Sequence, residues 1–166
     1  MVILLQAFWR VLLLRVPPHV IPYSRFLLGA LLLMHLLSGS ALLAISRPLD
    51  EAILSATLGS AMLVVVTHLL LSLFNRGRRS VQSISALAGC EVLINLFSVP
   101  VNYWFVAAEK SNAGPPALLL MLLLGWNVAL IAHVWRHALD VSKLQGFLYA
   151  MGYVILSITL ASLIGA

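Results

Sequence analysis

The chain is predicted to be an all-α, polytopic membrane protein, with five transmembrane helices behind an amphipathic amino-terminal helix that lies in the interface. Composition is the first reason: of 166 residues, 62% are hydrophobic and only 9% charged. About a quarter of a soluble globular chain is charged, so lipid must be the solvent for much of this one. Span length is the second, since five apolar stretches can each cross about 30 Å of hydrocarbon at about 1.5 Å per helical residue. Charge asymmetry is the third. Arg10, Arg15, Arg25, Arg76, Arg78, Arg79, Arg136 and Lys143 fall in alternate polar segments, and only Arg47 and Lys110 fall in the others.

Residues 1–16 are apolar but short for a crossing. Arg10 and Arg15 lie within and after the apolar run rather than before it, which is the reverse of a signal peptide. Phe8, Trp9 and the two arginines suit an interfacial helix, with aromatic rings at headgroup level and guanidinium groups reaching phosphates. An apolar tail docked on a partner is the alternative. Pro17, Pro18 and Pro22 then break this segment from the membrane domain, residues 17–166.

The spans are expected at about 26–45, 52–74, 83–108, 117–135 and 144–164. Turn-forming residues separate them: Arg47-Pro48-Leu49-Asp50, Asn75-Arg76-Gly77-Arg78-Arg79 and Ser111-Asn112-Ala113-Gly114-Pro115-Pro116. Lys and Arg hold short loops on the cytoplasmic side, so the amino end is expected there and the carboxyl end opposite. Trp9, Arg10, Arg15, Arg76, Arg78, Arg79 and Arg136 are the expected interface anchors. The formal charge of +5 is thereby assigned to topology and not to nucleic acid, because the basic residues flank apolar spans instead of forming one face.

Polar side chains inside spans need a reason to be there. Glu91, Asn95, Ser98 and Asn102 recur at spacings of four, three and four, which puts them on one face of the third span. Counting residues from the loops places His35, His68 and Asn127 in the same half of the membrane as Glu91. The group His35, His68, Glu91, Asn95 and Asn127 is therefore expected to meet inside the bundle, with Glu91 neutral or hydrogen-bonded to a histidine or asparagine of a neighbouring span. It is either a structural knot or a proton or small-ion site. Ser55 and Gly59, Ser85 and Gly89, and Ala161 and Gly165 are spaced by four and mark narrow faces for close helix packing, within the chain or between chains.

Catalytic and metal-binding patterns are not expected. His133 and His137 have the i, i+4 spacing that faces two imidazoles toward one ion, yet no Glu follows the first and Cys90 is the only cysteine. With Trp135 and Arg136 beside them, the histidines are read at the headgroup boundary. No Gly-x-Ser-x-Gly and no phosphate-cradling glycine loop occurs. No enzyme activity, cofactor or metal is therefore expected.

The stretch from Arg79 to Gly165 resembles the bacterial branch of the Yip family of membrane proteins. The resemblance is carried by Ser80-Val81-Gln82-Ser83-Ile84-Ser85-Ala86-Leu87, Pro100, Gly125-Trp126-Asn127, and the run His137-Ala138-Leu139-Asp140-Val141-Ser142-Lys143-Leu144-Gln145-Gly146. It implies a five-span helical bundle with a cytoplasmic amino end, and in eukaryotic members vesicle traffic through Rab-type GTPases. The amino-terminal tail here is short and lacks the acidic Asp-Leu-x-Gly-Pro type of motif. The functional expectation is a noncatalytic accessory or scaffold subunit of a bacterial inner membrane. Its expected partners are the lipid bilayer and other integral membrane subunits, in a hetero- or homo-oligomer. The competing expectation is a small transporter or proton- or ion-linked channel using Glu91 and the membrane histidines.

Overall fold

The computed structural model describes residues 2–108 and 112–164. Helices α1 (Val2–Leu12), α2 (Arg25–Leu43), α3 (Leu49–Leu73), α4 (Ser80–Ala107), α5 (Gly114–Leu139) and α6 (Lys143–Ile164) account for nearly all of it, with short 3₁₀ turns at Pro18–Val20 and Gly77–Arg79. No strand occurs among the described residues. Helices α2 to α6 are all long and apolar enough to cross a bilayer, so the chain is an integral membrane protein with five spans. Lys110, Gly165 and Ala166 lie outside the described residues.

Helix ends follow local chemistry. Ser24 caps α2 by accepting the Leu27 N–H at 3.2 Å, and Pro48 precedes α3, whose first turn carries Asp50 and Glu51 to complement the dipole. At the start of α6, the Ser142 N–H donates to Gln145 Oε1 and the Gln145 N–H to Ser142 Oγ, a reciprocal capping box. Helices α1, α3 and α5 end on Leu14, Asn75 and Asp140, each at a φ of 57–58°. In each case the following N–H reaches back five residues: Arg15 to Arg10 O, Arg76 to Leu71 O, and Val141 to Arg136 O. Asn and Asp tolerate this left-handed conformation; Leu14 is strained in it.

Helix α4 is the hub. It packs against α1, α2, α3 and α5, and its buried positions run from Ser80 to Ser98, beyond which Pro100 and the outer turns face away. Small side chains permit this: a Cβ at Gly89 would overlap the Phe8 ring of α1. At the α5–α6 crossing, a Cβ on Gly146 would stand 2.8 Å from Ala132 O and 2.9 Å from Arg136 Cβ. Gly146 is therefore a true close-approach glycine, with Ser142 and Ala150 four residues to either side of it. Gly59 is the contrary case, since a Cβ there meets nothing within 4 Å.

The amino-terminal helix ends at Leu12 rather than near residue 16, and it packs against α4. Phe8, Val11 and Leu12 are buried, and Phe8 meets Gly89, nine residues or about 14 Å into α4. Trp9 does stay half exposed, packed on Phe97 with ring centroids 6.2 Å apart, and Arg10 and Arg15 are exposed. Trp135 is 1% exposed: its Nε1–H donates to Thr67 Oγ1 at 3.3 Å and its ring meets Tyr153 edge-on at 5.5 Å. One tryptophan thereby links α3, α5 and α6.

These contacts rank the glycines. Gly146→Ala should lower stability by about 1–3 kcal/mol by forcing α5 and α6 apart, and Gly59→Ala should leave it unchanged or slightly higher. Thermal unfolding of the two variants in one detergent checks this; equal midpoints would refute the close-approach reading of Gly146. Gly89→Ala should also destabilise, and Phe8→Ala in the same chain should recover part of the loss, measured as a double-mutant coupling.

Candidate functional site

Helices α2 and α4 run in the same direction, so equal steps along each keep side chains in register. His35 on α2 faces Glu91 on α4, with Nε2 2.8 Å from Oε2. One turn farther along both helices, Asn95 Nδ2 donates to Ser38 Oγ at 3.1 Å, and Ser38 Oγ donates to His35 O at 3.1 Å. Gly39 faces both neighbouring helices, and a Cβ there would make ordinary contact, 3.9 Å from Asn95 Nδ2 and 3.6 Å from Ala56 Cβ. From α3, Ser60 Oγ lies 2.9 Å from the other ring nitrogen of His35. Glu91 is 7% exposed, so the pair lies within the bundle, beside a cleft that both residues line.

The expected five-residue group is only partly assembled. His35, Glu91 and Asn95 belong to the network. His68 does not: it is exposed and its Nδ1 lies 3.2 Å from Ser80 Oγ, at the start of α4. The reason is axial distance, since Ser60 rather than His68 is the α3 residue level with His35, and eight residues of helix separate the two by about 12 Å. Asn127 lines the same cleft as Glu91 without joining the network, and its Oδ1 is buried with no hydrogen-bond partner among the described residues. Ser98 turns back to Ile94 O at 2.8 Å. Asn102 lies beyond the buried stretch of α4.

The small residues also separate by role. Ser85 is fully buried next to the Gly89 contact with α1, whereas Ser55 and Gly59 line the cleft beside Glu91. Ala161 lies in α6, and its expected partner Gly165 is outside the described residues. Ser38, Ser60, Tyr153 and Ser157 are the site residues that sequence reading passed over. A signal existed for Ser38, which follows His35 by the same single turn that separates Asn95 from Glu91.

A second polar cluster lies at the end of the bundle where the α3–α4 and α5–α6 turns meet. Asp140 Oδ2 accepts from Arg76 Nη2 at 3.1 Å and Arg79 Nη1 at 2.9 Å. Arg79 Nη1 also donates to the terminal α5 carbonyls of Ala138 at 2.9 Å and His137 at 3.3 Å. Arg76, Arg78, Arg79, Arg136 and Lys143 therefore share one face of the molecule. The carboxylate is about half exposed, so the ion pairs add little stability and the carbonyl cap carries the connection. His133 and His137 stack edge-on with ring centroids 4.6 Å apart, and His133 Nε2 donates to Val16 O at 3.0 Å, which gives that histidine a structural duty.

The two membrane histidines should respond differently to removal. His35→Leu strands Glu91 Oε2 and Ser60 Oγ inside the bundle and should cost about 1–2 kcal/mol. His68→Leu frees one hydroxyl at a helix start and should cost under about 1 kcal/mol. Side-by-side thermal unfolding decides it, and a His68 loss as large as the His35 loss would show that the network extends farther than these contacts. No protein-family model, curated protein or solved structure matches the chain, and the chemistry of the site is read from its own residues.

Proposed function

We propose that the chain is a noncatalytic subunit of a bacterial inner membrane, with its amino end cytoplasmic, that packs as an accessory or scaffold against a larger membrane assembly. One observation carries this reading: the Ser60, His35, Glu91 chain closes within the bundle. The next histidine, His68, stands about 12 Å away along α3 and is engaged with Ser80. A proton path needs successive titratable groups within reach of one another; a knot that fixes the register of α2, α3 and α4 needs only closure. The Yip-like motifs support a bundle of the same plan, and short loops leave the apolar helix faces as the surface on which a partner would pack.

The assembly reading is tested by mild solubilisation followed by native mass analysis, where the chain should travel with other integral membrane subunits. A solitary monomer across several detergents and lipid nanodiscs would overturn it. The knot is tested by substitution: Glu91→Gln retains an oxygen for His35 and should keep fold and assembly, whereas Glu91→Leu should lose about 1–2 kcal/mol. Orientation is tested by single cysteines at positions 78 and 112 in a chain with Cys90 replaced, which should be labelled from opposite sides of the membrane, 78 from the cytoplasm.

A further inference from the structure

Beside the Glu91–His35 pair lies a cleft of about 310 Å³ to which all five spans contribute. Its polar lining is rich in oxygen: Glu91, Asn127, Ser55, Tyr153 and Ser157. Two of these atoms, Ser55 Oγ and Asn127 Oδ1, are buried and have no hydrogen-bond partner among the described residues. In hydrocarbon such a group costs several kcal/mol unless something occupies the space beside it. The lining says what kind of occupant: one carboxylate among neutral oxygens, with no Lys or Arg beside it.

We propose that this cleft binds a small monovalent cation, with sodium as the working case. Glu91 supplies the charge, and the oxygens of Asn127, Ser55 and Ser157 supply neutral ligands. A single carboxylate among neutral oxygens suits a monovalent ion, since hard divalent cations draw affinity from several charged ligands. The volume admits the ion with part of its hydration shell, at about 30 Å³ per water. The proposal is independent of the assembly reading: a scaffold subunit and a solitary protein would both need this charge balanced.

The test uses the full chain in lipid nanodiscs with radiolabelled sodium, and choline as the inert cation. Wild type should bind one sodium per chain saturably. Sodium should also raise the thermal midpoint by about 3 °C over choline at equal ionic strength. Glu91→Gln, which removes the charge at constant size, and Asn127→Leu, which removes an oxygen and fills the cleft, should each weaken binding at least tenfold and abolish the thermal shift. His68→Leu should bind as wild type does. Helicity and monodispersity establish that each variant is folded; should the Gln variant fail to fold, wild type and Asn127→Leu decide. Absence of saturable binding in wild type would leave the cleft to water and overturn the proposal, as would undiminished binding in a folded Glu91→Gln. Magnesium displacing sodium at equal charge concentration would overturn the monovalent assignment.

Discussion

Hydrocarbon offers no hydrogen bonds, and the arrangement of this bundle follows from that one constraint. A side-chain or backbone polar group placed inside the membrane has to find its partner within the protein. Glu91 finds His35, His35 finds Ser60, and Asn95 finds Ser38. These pairings fix the axial register of α2 and α3 against α4, which apolar packing alone leaves loose because lipid tails are as apolar as leucine. The small residues then follow as a consequence. Polar groups can meet only where backbones approach, and Gly39 and Gly89 sit on the faces where α2 and α1 close on α4.

The same constraint explains how an irregular segment can run beside the spans. Between α1 and α2 the chain leaves helical geometry, so its carbonyls need outside donors. Trp126 Nε1 donates to Leu12 O at 2.9 Å, His133 Nε2 to Val16 O at 3.0 Å, and Gln82 Nε2 to Ile21 O at 2.9 Å. Each donor comes from α4 or α5, and together they lead the segment along those helices toward the end of the bundle where Arg79 bonds Asp140. Non-helical backbone at such depth is tolerated only when buried in protein in this way. Trp126 and His133 are thereby engaged as backbone donors.

Much of this was legible from residues alone, and the exceptions have physical causes. The five spans follow from hydropathy and length, and the turn residues Pro48, Asn75 and Gly114 stand at or beside the helix ends. Glu91, Asn95 and His35 could be singled out because a polar group inside a span is costly. Counting residues from loops, however, resolves depth only to about two turns of helix. That error moved His68 into the cluster and left Ser60 out. Fourfold spacing of small residues marks a face but not what approaches it; Gly59 borders a cleft, whereas Gly146 makes the tightest backbone contact. The docking of α1 was hidden for a related reason. An apolar helix of 11 residues reads the same whether lipid or protein covers it.

Leu14 is where local and global preferences collide. A branched side chain in the left-handed region costs about 1–2 kcal/mol, which Gly or Asn would largely avoid. The conformation persists because both sides of it are anchored. Phe8, Val11 and Leu12 are buried before the turn, and the Val16 and Ile21 carbonyls are held by His133 and Gln82 after it. Strain that survives in this way shows that the surrounding contacts together outweigh it. The cysteine at the centre of the contact makes the same point from the other side: Cys90 is fully buried, with its Sγ 3.5 Å from Phe8 O, and packs as a small apolar residue under α1. The amino-terminal helix is therefore part of the bundle's core. Removing it would uncover the Gly89 face of the hub and leave the Trp126 indole without its acceptor.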